Sequence, residues 1–212
     1  MKETFKDPGY TLYRYADVIY VDCPDGEGPG IIRGEFTWFP KQARLTSCFG
    51  SFHREWNATT WLGPVIGHRQ RFCPICSADA PDLGISKTTF RSDLPHCIDY
   101  HCGRCGGDSE MEITWCRGDI HTPGCDPYFG LPLYLREIVG NETLWFFNAD
   151  HMNQVRSYVA ADLRERLPDG KWSMITRLPT WIKTSKNRSK VLRAIARLEA
   201  KLSALNRKLQ KT

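Results

Sequence analysis

The most regular hydrophobic spacing in the chain lies near its C-terminal end. Val191, Ile195, Leu198, Leu202, Leu205 and Leu209 recur at intervals of four, three, four, three and four residues, which predicts an amphipathic helix with a coiled-coil-like seam. Ser185 or Ser189 is placed to cap it. Upstream, Met152, Val155, Val159 and Leu163 mark the apolar face of another helix, with Asn148 or Asp150 as its N-cap and Pro168, Asp169 and Gly170 as its stop. A shorter helix over residues 172–178 is expected to break at Pro179. Between residues 131 and 147, two apolar, β-rich runs flank Gly140 and Asn141, which predicts a hairpin.

The N-terminal part has a different rhythm. Residues 10–22 are dense in β-branched and aromatic side chains and read as a strand or strand pair, stopped by the Pro- and Gly-rich stretch 24–30. Short strand-like runs follow at 35–39, 43–47, 52–56 and 64–72. The pattern therefore predicts an α+β chain: a β-rich region to about residue 147, then a helical segment. Its expected parts are residues 1–66, 67–147 and 148–212.

Nine cysteines change this picture. No run approaches the roughly 18 to 20 apolar residues needed to cross a bilayer, and the first ten residues lack the apolar stretch of a signal peptide. A cytoplasmic location without membrane association is expected, where thiols stay reduced and an odd cysteine count suits metal binding better than a disulfide framework. Cys73-x-x-Cys76 and Cys102-x-x-Cys105 have the spacing of two knuckles sharing one tetrahedral Zn2+, with Pro74, Gly103, Gly106 and Gly107 supplying the turns. Four thiolates fill the coordination shell, so the metal is expected to be structural. His96, Cys97, Cys116, His121 and Cys125 follow no standard ligand spacing; they are candidates for a second ion, against the alternative of free thiols and surface histidines.

Cys23-Pro24-Asp25-Gly26 resembles Cys73-Pro74-Ile75-Cys76, and Cys48 followed by Phe49-Gly50 resembles Cys105-Gly106. The first 66 residues thus read either as a degenerate ribbon preceding an intact one or as unrelated Cys-Gly turns. Two enzyme signatures are incomplete. His53 and Glu55 ahead of Cys73 and Cys76 evoke a zinc deaminase, but the Pro before the cysteine pair is missing and a second pair closes the shell. Asp150, His151 and Asn153 could serve a zinc-supported nuclease, or simply start a helix.

Charge is divided unevenly. Residues 1–155 carry 14 Lys and Arg against 20 Asp and Glu, whereas residues 156–212 carry 15 against 4. A polyanion is expected to meet the C-terminal helix first, through Lys183, Lys186, Arg188, Lys190, Arg193 and Arg197. The seam itself needs cover from the preceding helix, a second copy of the chain or a partner protein.

The segments Asp126-Pro-Tyr-Phe-Gly-Leu-Pro-Leu-Tyr-Leu, Glu142-Thr-Leu-Trp-Phe-Phe-Asn, Tyr158-Val-Ala-Ala-Asp-Leu-Arg-Glu-Arg and Leu178-Pro-Thr-Trp-Ile-Lys, with the two cysteine pairs, resemble a family of uncharacterised bacterial zinc-ribbon proteins. The resemblance implies ribbon domains joined to a helical tail and brings no activity with it. The expected function is therefore that of a non-catalytic zinc-ribbon protein that binds nucleic acid through its basic helix. The alternative is an adaptor whose seam docks a partner.

Overall fold

The computed structural model describes residues 4–26, 28–36, 40–56, 62–80, 85–90, 93–117, 123–165 and 172–211. The chain forms two compact units. One comprises Met1–Glu55, Pro123–Pro127 and Leu131–Thr212, and the other Trp56–Thr122 with Tyr128–Gly130. The expected boundaries at 66/67 and 147/148 are thus replaced, because the hairpin and the C-terminal helices join the N-terminal strands in one unit.

In the first unit, β1 (Thr4–Lys6) pairs in parallel with β12 (Leu163–Glu165). The stretch expected to be all strand divides: a 3-10 helix covers Leu12–Tyr15, and β2 begins only at Val18–Asp22. The aromatics that suggested a strand are used singly. Tyr13 stacks on Phe36 with centroids 4.1 Å apart, and Tyr15 stacks on the His151 ring at 5.3 Å. β2, β3 (Pro29–Phe36), β4 (Pro40–Ser47) and β5 (His53–Glu55) follow as an antiparallel sheet in chain order. On its other side β2 bonds to residues 132–134, through Val21 opposite Leu133.

The hairpin forms as expected from β10 (Leu135–Val139) and β11 (Glu142–Phe146). Gly140 lies at φ +69°, the left-handed value that a two-residue turn opening on glycine requires. Next comes α1 (Ala149–Ala160), capped by Asn148. It stops well short of the expected Pro168: Ala161 is extended, Arg188 donates to its carbonyl, and Leu163 is half exposed within β12 instead of extending the helical face. The stop at 168–170 lies outside the described residues.

The short helix α2 (Met174–Arg177), N-capped by Ser173, ends before Pro179, and α3 (Thr180–Lys183) follows. A 3-10 turn over Ser185–Asn187 leads into α4 (Arg188–Leu209). Neither Ser185 nor Ser189 caps α4; Asn187 occupies the cap position without a side-chain bond.

The seam is covered by its own chain. α4 packs on α1 and β10, leaving Val191, Ile195, Leu198, Leu202 and Leu205 no more than 6% exposed, with Leu209 half-buried near the helix end. Burial of each such side chain stabilises the fold by roughly 1.5 to 3 kcal/mol. This corrects the expectation of a partner-docking or coiled-coil seam. The heptad-like spacing arises because one helix face meets both a helix and a hairpin, which needs the same apolar stripe as a coiled-coil partner.

Asn148 ties these elements together. Its Oδ1 accepts from His151 N at 3.0 Å, while Nδ2 donates to the carbonyls of Tyr15 and Val18, both at 2.8 Å. Asn148→Ala is expected to lower unfolding free energy by about 2 kcal/mol in urea titrations, since a cap and two buried carbonyl partners go together. Asn148→Asp keeps the cap acceptor but has no donors. Full recovery in that variant would show that the two carbonyl bonds contribute nothing.

The second unit is a four-stranded antiparallel sheet in the order β7 (Ile85–Phe90), β6 (Leu62–Arg69), β9 (Asp108–Arg117), β8 (Cys97–His101). One apolar cluster of this unit is small, Val65, Leu94, Ile113 and Trp115 with Ile98 against them, and Met111, Tyr128 and Phe129 of the same unit are fully buried as well. Trp115 lies over its cross-strand partner Gly67, where an added Cβ would come within 2.8 Å of the indole ring.

Candidate metal centre

Each cysteine pair sits on a tight turn that closes a hairpin. At the first, Cys73 N–H donates to the Ala78 carbonyl at 2.8 Å, with Phe72 bridging to Asp79. At the second, Cys102 N–H donates to Gly107 at 3.0 Å, with His101 paired to Asp108. The fifth residue of each turn is left-handed, Gly106 at φ +70° and Ser77 at φ +56°. Gly107 is closely approached: a Cβ there would meet Ile75 Cδ1 at 2.6 Å and Cys105 Sγ at 3.4 Å.

These turns bring the Sγ atoms of Cys73, Cys76, Cys102 and Cys105 within 4.8 Å of one another. Cys76 and Cys102 are 3.7 Å apart. A tetrahedron with metal–sulfur bonds of about 2.3 Å has sulfur–sulfur edges of about 3.8 Å, so the donor set fits a tetrathiolate ion. Cys73 and Cys102 are buried, and Cys76 and Cys105 face solvent.

The thiols are electrostatically unequal. The backbone N–H groups of Cys105 and Arg104 pull Cys102 down to about 6. At Cys76 the Ala78 N–H favours the thiolate, but desolvation and the three facing sulfurs outweigh it and raise the thiol to about 11. A divalent ion reverses that opposition by neutralising the clustered negative charge, so uptake releases protons.

The other sequence candidates do not converge. Among the described residues the four cysteines are the one cluster of His, Cys, Asp and Glu with metal-ligand spacing. Cys97 and Cys116 are exposed on β8 and β9, facing Glu112 and Ile66 respectively. His96 is exposed, and Cys125 is half-buried with its thiol pushed up by burial. His121 lies outside the described residues. His53 and Glu55 are exposed on β5, with Glu55 held by Arg44 at 2.6 Å.

His151 is 3% exposed, and burial drives its imidazole down to about 3. Its Nδ1 accepts from Phe147 N at 3.2 Å, so the ring is neutral with its proton on Nε2. Asp150 and Asn153 border a small polar surface cleft beside it, with no metal-ligand cluster there.

Two further turns have the same hydrogen-bond pattern as the cysteine turns. Cys23 N–H donates to Gly28 O across the same five-residue span, and Asp22 pairs with Pro29 as Phe72 bridges to Asp79. Cys48 forms no such turn; its N–H joins the ladder at Pro29. The matching turn is Asp126-Pro127-Tyr128-Phe129-Gly130: Asp126 N–H donates to Leu131 O, Cys125 bridges to Pro132, and Gly130 lies at φ +79°.

The positions that correspond to the paired cysteines hold Cys23 and Gly26 in one turn and Asp126 and Phe129 in the other. The Asp126 carboxylate accepts from Leu131 N at 2.6 Å, and Phe129 is fully buried. The thiol of Cys23 is pushed up to about 11, chiefly by burial.

The six basic candidates divide in two. Lys183 donates to the Thr176 carbonyl, Arg188 pairs with Asp162 and the Ala161 carbonyl, and Arg197 pairs with Glu137 at 2.8 Å. Lys186, Lys190 and Arg193 are exposed without an acidic partner among the described residues. Glu199, the one acid of α4, is paired with Arg156.

The chain matches no family model, no curated protein and no solved structure. The ribbon resemblance rests on its motifs alone. No helix among the described residues is long and apolar enough to cross a membrane.

Proposed function

We propose that the chain is a non-catalytic zinc-ribbon protein that binds nucleic acid along the exposed side of α4. The observation that carries this reading is a basic stripe. Lys190, Arg193, Arg197 and Lys208 of α4 are separated by three, four and eleven residues, all near whole helical turns, and Lys211 follows just past the helix end at Leu209; all five are exposed. The helical part of the stripe runs for about 27 Å, most of one turn of a duplex. It lies away from the buried face of Val191, Ile195, Leu198 and Leu202, so a phosphate backbone could be followed without disturbing the packing.

Zinc suits the four thiolates because it accepts a closed tetrahedral sulfur shell without redox chemistry. In that state it offers no open position for substrate, and its role is to fix the second unit. The Cys73, Cys76, Cys102 and Cys105 side chains hold it, and the left-handed turns at Ser77 and Gly106 orient them.

The test is salt-dependent binding of labelled duplex DNA and single-stranded RNA, followed by fluorescence anisotropy between about 50 and 200 mM salt. The combined variant Lys190→Gln, Arg193→Gln, Lys211→Gln leaves the Arg197–Glu137 pair in place. It is expected to weaken binding at least about tenfold and to flatten the log–log salt slope by about 2 to 3. No binding at low salt, or an unchanged slope in the variant, would remove the proposal.

A further inference from the structure

Within the first unit a cavity of about 780 Å³ opens beside β11. Its walls are largely apolar, formed by Leu12, Tyr13, Met174, Leu178, Pro179 and Ile182, and Trp172, 68% exposed, stands at its rim. Four consecutive residues of β11, Thr143 to Phe146, also line it. A strand that contributes residues from both faces to one cavity meets that cavity along its edge.

The hydrogen-bond register identifies which groups face outward. In a hairpin closed by a two-residue turn, Val139 and Glu142 form the hydrogen-bonded pair next to the turn, and bonded pairs then alternate. Glu142, Leu144 and Phe146 therefore direct their N–H and C=O groups to β10, while Thr143, Trp145 and Phe147 direct theirs away. Phe147 conforms to this: its carbonyl accepts from Tyr20 N at 3.0 Å, and its N–H donates to His151 Nδ1. Thr143 and Trp145 have no such partner among the described residues, so their peptide groups front the cavity as an open strand edge.

Two further polar groups converge there. His151 lines the cavity, and with Nδ1 occupied its Nε2–H has no acceptor among the described residues although the side chain is 97% buried. Arg177 also lines it, its guanidinium lying 4.5 Å from the Trp172 ring centroid and without an acidic partner among the described residues.

We propose that this cleft binds an extended peptide segment of a partner protein, apolar in its alternate side chains and carrying one acidic residue, which adds as a strand to the open edge of β11. The edge decides in favour of a peptide over a small apolar acid. Thr143 and Trp145 each offer a donor and an acceptor at strand spacing, and only a ligand with both amide N–H and C=O groups satisfies all four. Apolar side chains on one face of the added strand fill the cavity, His151 Nε2–H takes up an acceptor, and the acidic residue pairs with Arg177. This inference does not rest on nucleic-acid binding by α4.

The experiment uses the full chain and a panel of acetylated, amidated hexapeptides in which Val, Ile, Leu and Phe alternate with Thr and one Asp. Binding is read by tryptophan fluorescence and by amide exchange at Thr143 and Trp145. Expected are protection of those two amides, and at least tenfold weaker binding when the peptide is N-methylated on the edge facing β11 but not on the opposite edge. Thr143→Pro, which removes an outward N–H outside the β10 ladder, is expected to weaken binding by a similar factor. Arg177→Gln should abolish the preference for Asp over Asn peptides while leaving Asn peptides unaffected.

A panel with no member binding below about 1 mM overturns the proposal. So does equal binding of both N-methylated forms, or occupancy by 1-naphthoate at concentrations where no peptide binds, which would mark a small-molecule pocket.

Discussion

Removing the metal from Cys73, Cys76, Cys102 and Cys105 is expected to unfold the second unit and leave the first folded. The physical reason is the size of the core beneath the site. Val65, Leu94, Ile113 and Trp115, with Ile98, form an apolar cluster of that unit, and Met111, Tyr128 and Phe129 are its other large buried side chains among the described residues. Burial of about eight such side chains, at roughly 1.5 to 3 kcal/mol each, does not offset the backbone entropy of ordering four strands, about 1 to 2 kcal/mol per residue. A structural zinc site contributes on the order of 10 to 16 kcal/mol of apparent binding free energy, enough to decide the balance. Either a chelator or Cys102→Ser is expected to abolish exchange protection in β6, β8 and β9 and to change the fluorescence of Trp115. Protection in β2, β3, α1 and α4 is expected to persist, because Ile19, Ile32, Leu144, Val155 and Ile195 form a core that uses none of these ligands. Metal analysis should give one ion per chain, lost in the variant. Retained protection in β6 and β9 after metal loss would show that the sheet stands on its side chains alone.

The second large effect is acid destabilisation of the first unit through His151. Its ring is neutral and buried in the fold, with its pKa lowered to about 3 by desolvation, against an ordinary 6.5 in the unfolded chain. Between those values the unfolded state binds a proton that the folded state does not, so stability is complete above about pH 6.5 and is lost as pH falls toward 3. Each pH unit in that window costs about 1.4 kcal/mol, or on the order of 3 kcal/mol between neutrality and pH 4. His151→Gln keeps a polar side chain that does not titrate. In urea titrations from pH 7 to 4, the wild type is expected to lose that much more stability than the variant. The readout should be amide exchange in α1 and α4, because protons also compete with metal for the thiolates of the second unit. Equal pH slopes for the two proteins would mean that His151 becomes protonated without unfolding its surroundings.

Local patterns that depend on neighbours in sequence were legible before any coordinates. The two Cys-x-x-Cys turns are of this kind, since each knuckle is closed by bonds within six residues, as from Cys102 N–H to Gly107 O. The hairpin at Gly140, the cap at Asn148 and the break before Pro179 are also local, set by turn and cap chemistry. The long helix was evident because six apolar residues on one stripe admit few other conformations. How far α1 extends was not, since its end depends on Arg188 reaching back to the Ala161 carbonyl. The pair of turns at Cys23 and Asp126 was half visible. Cys23 announced one turn, but its counterpart begins at Asp126, about a hundred residues later and without a cysteine.

The sequence by itself determined the four-cysteine cluster, the hairpin, the long C-terminal helix and the basic character of that helix, because those follow from residue type and spacing over a few turns. Tertiary structure decided what each face meets. The seam of α4 is consumed by α1 and β10, three of the six basic candidates are held by Thr176, Asp162 and Glu137, and His151 becomes a buried neutral ring with an open edge of β11 beside it. Burial, ion pairing and an unpaired strand edge depend on residues distant in the chain, and periodicity carries no information about which of them will be brought together.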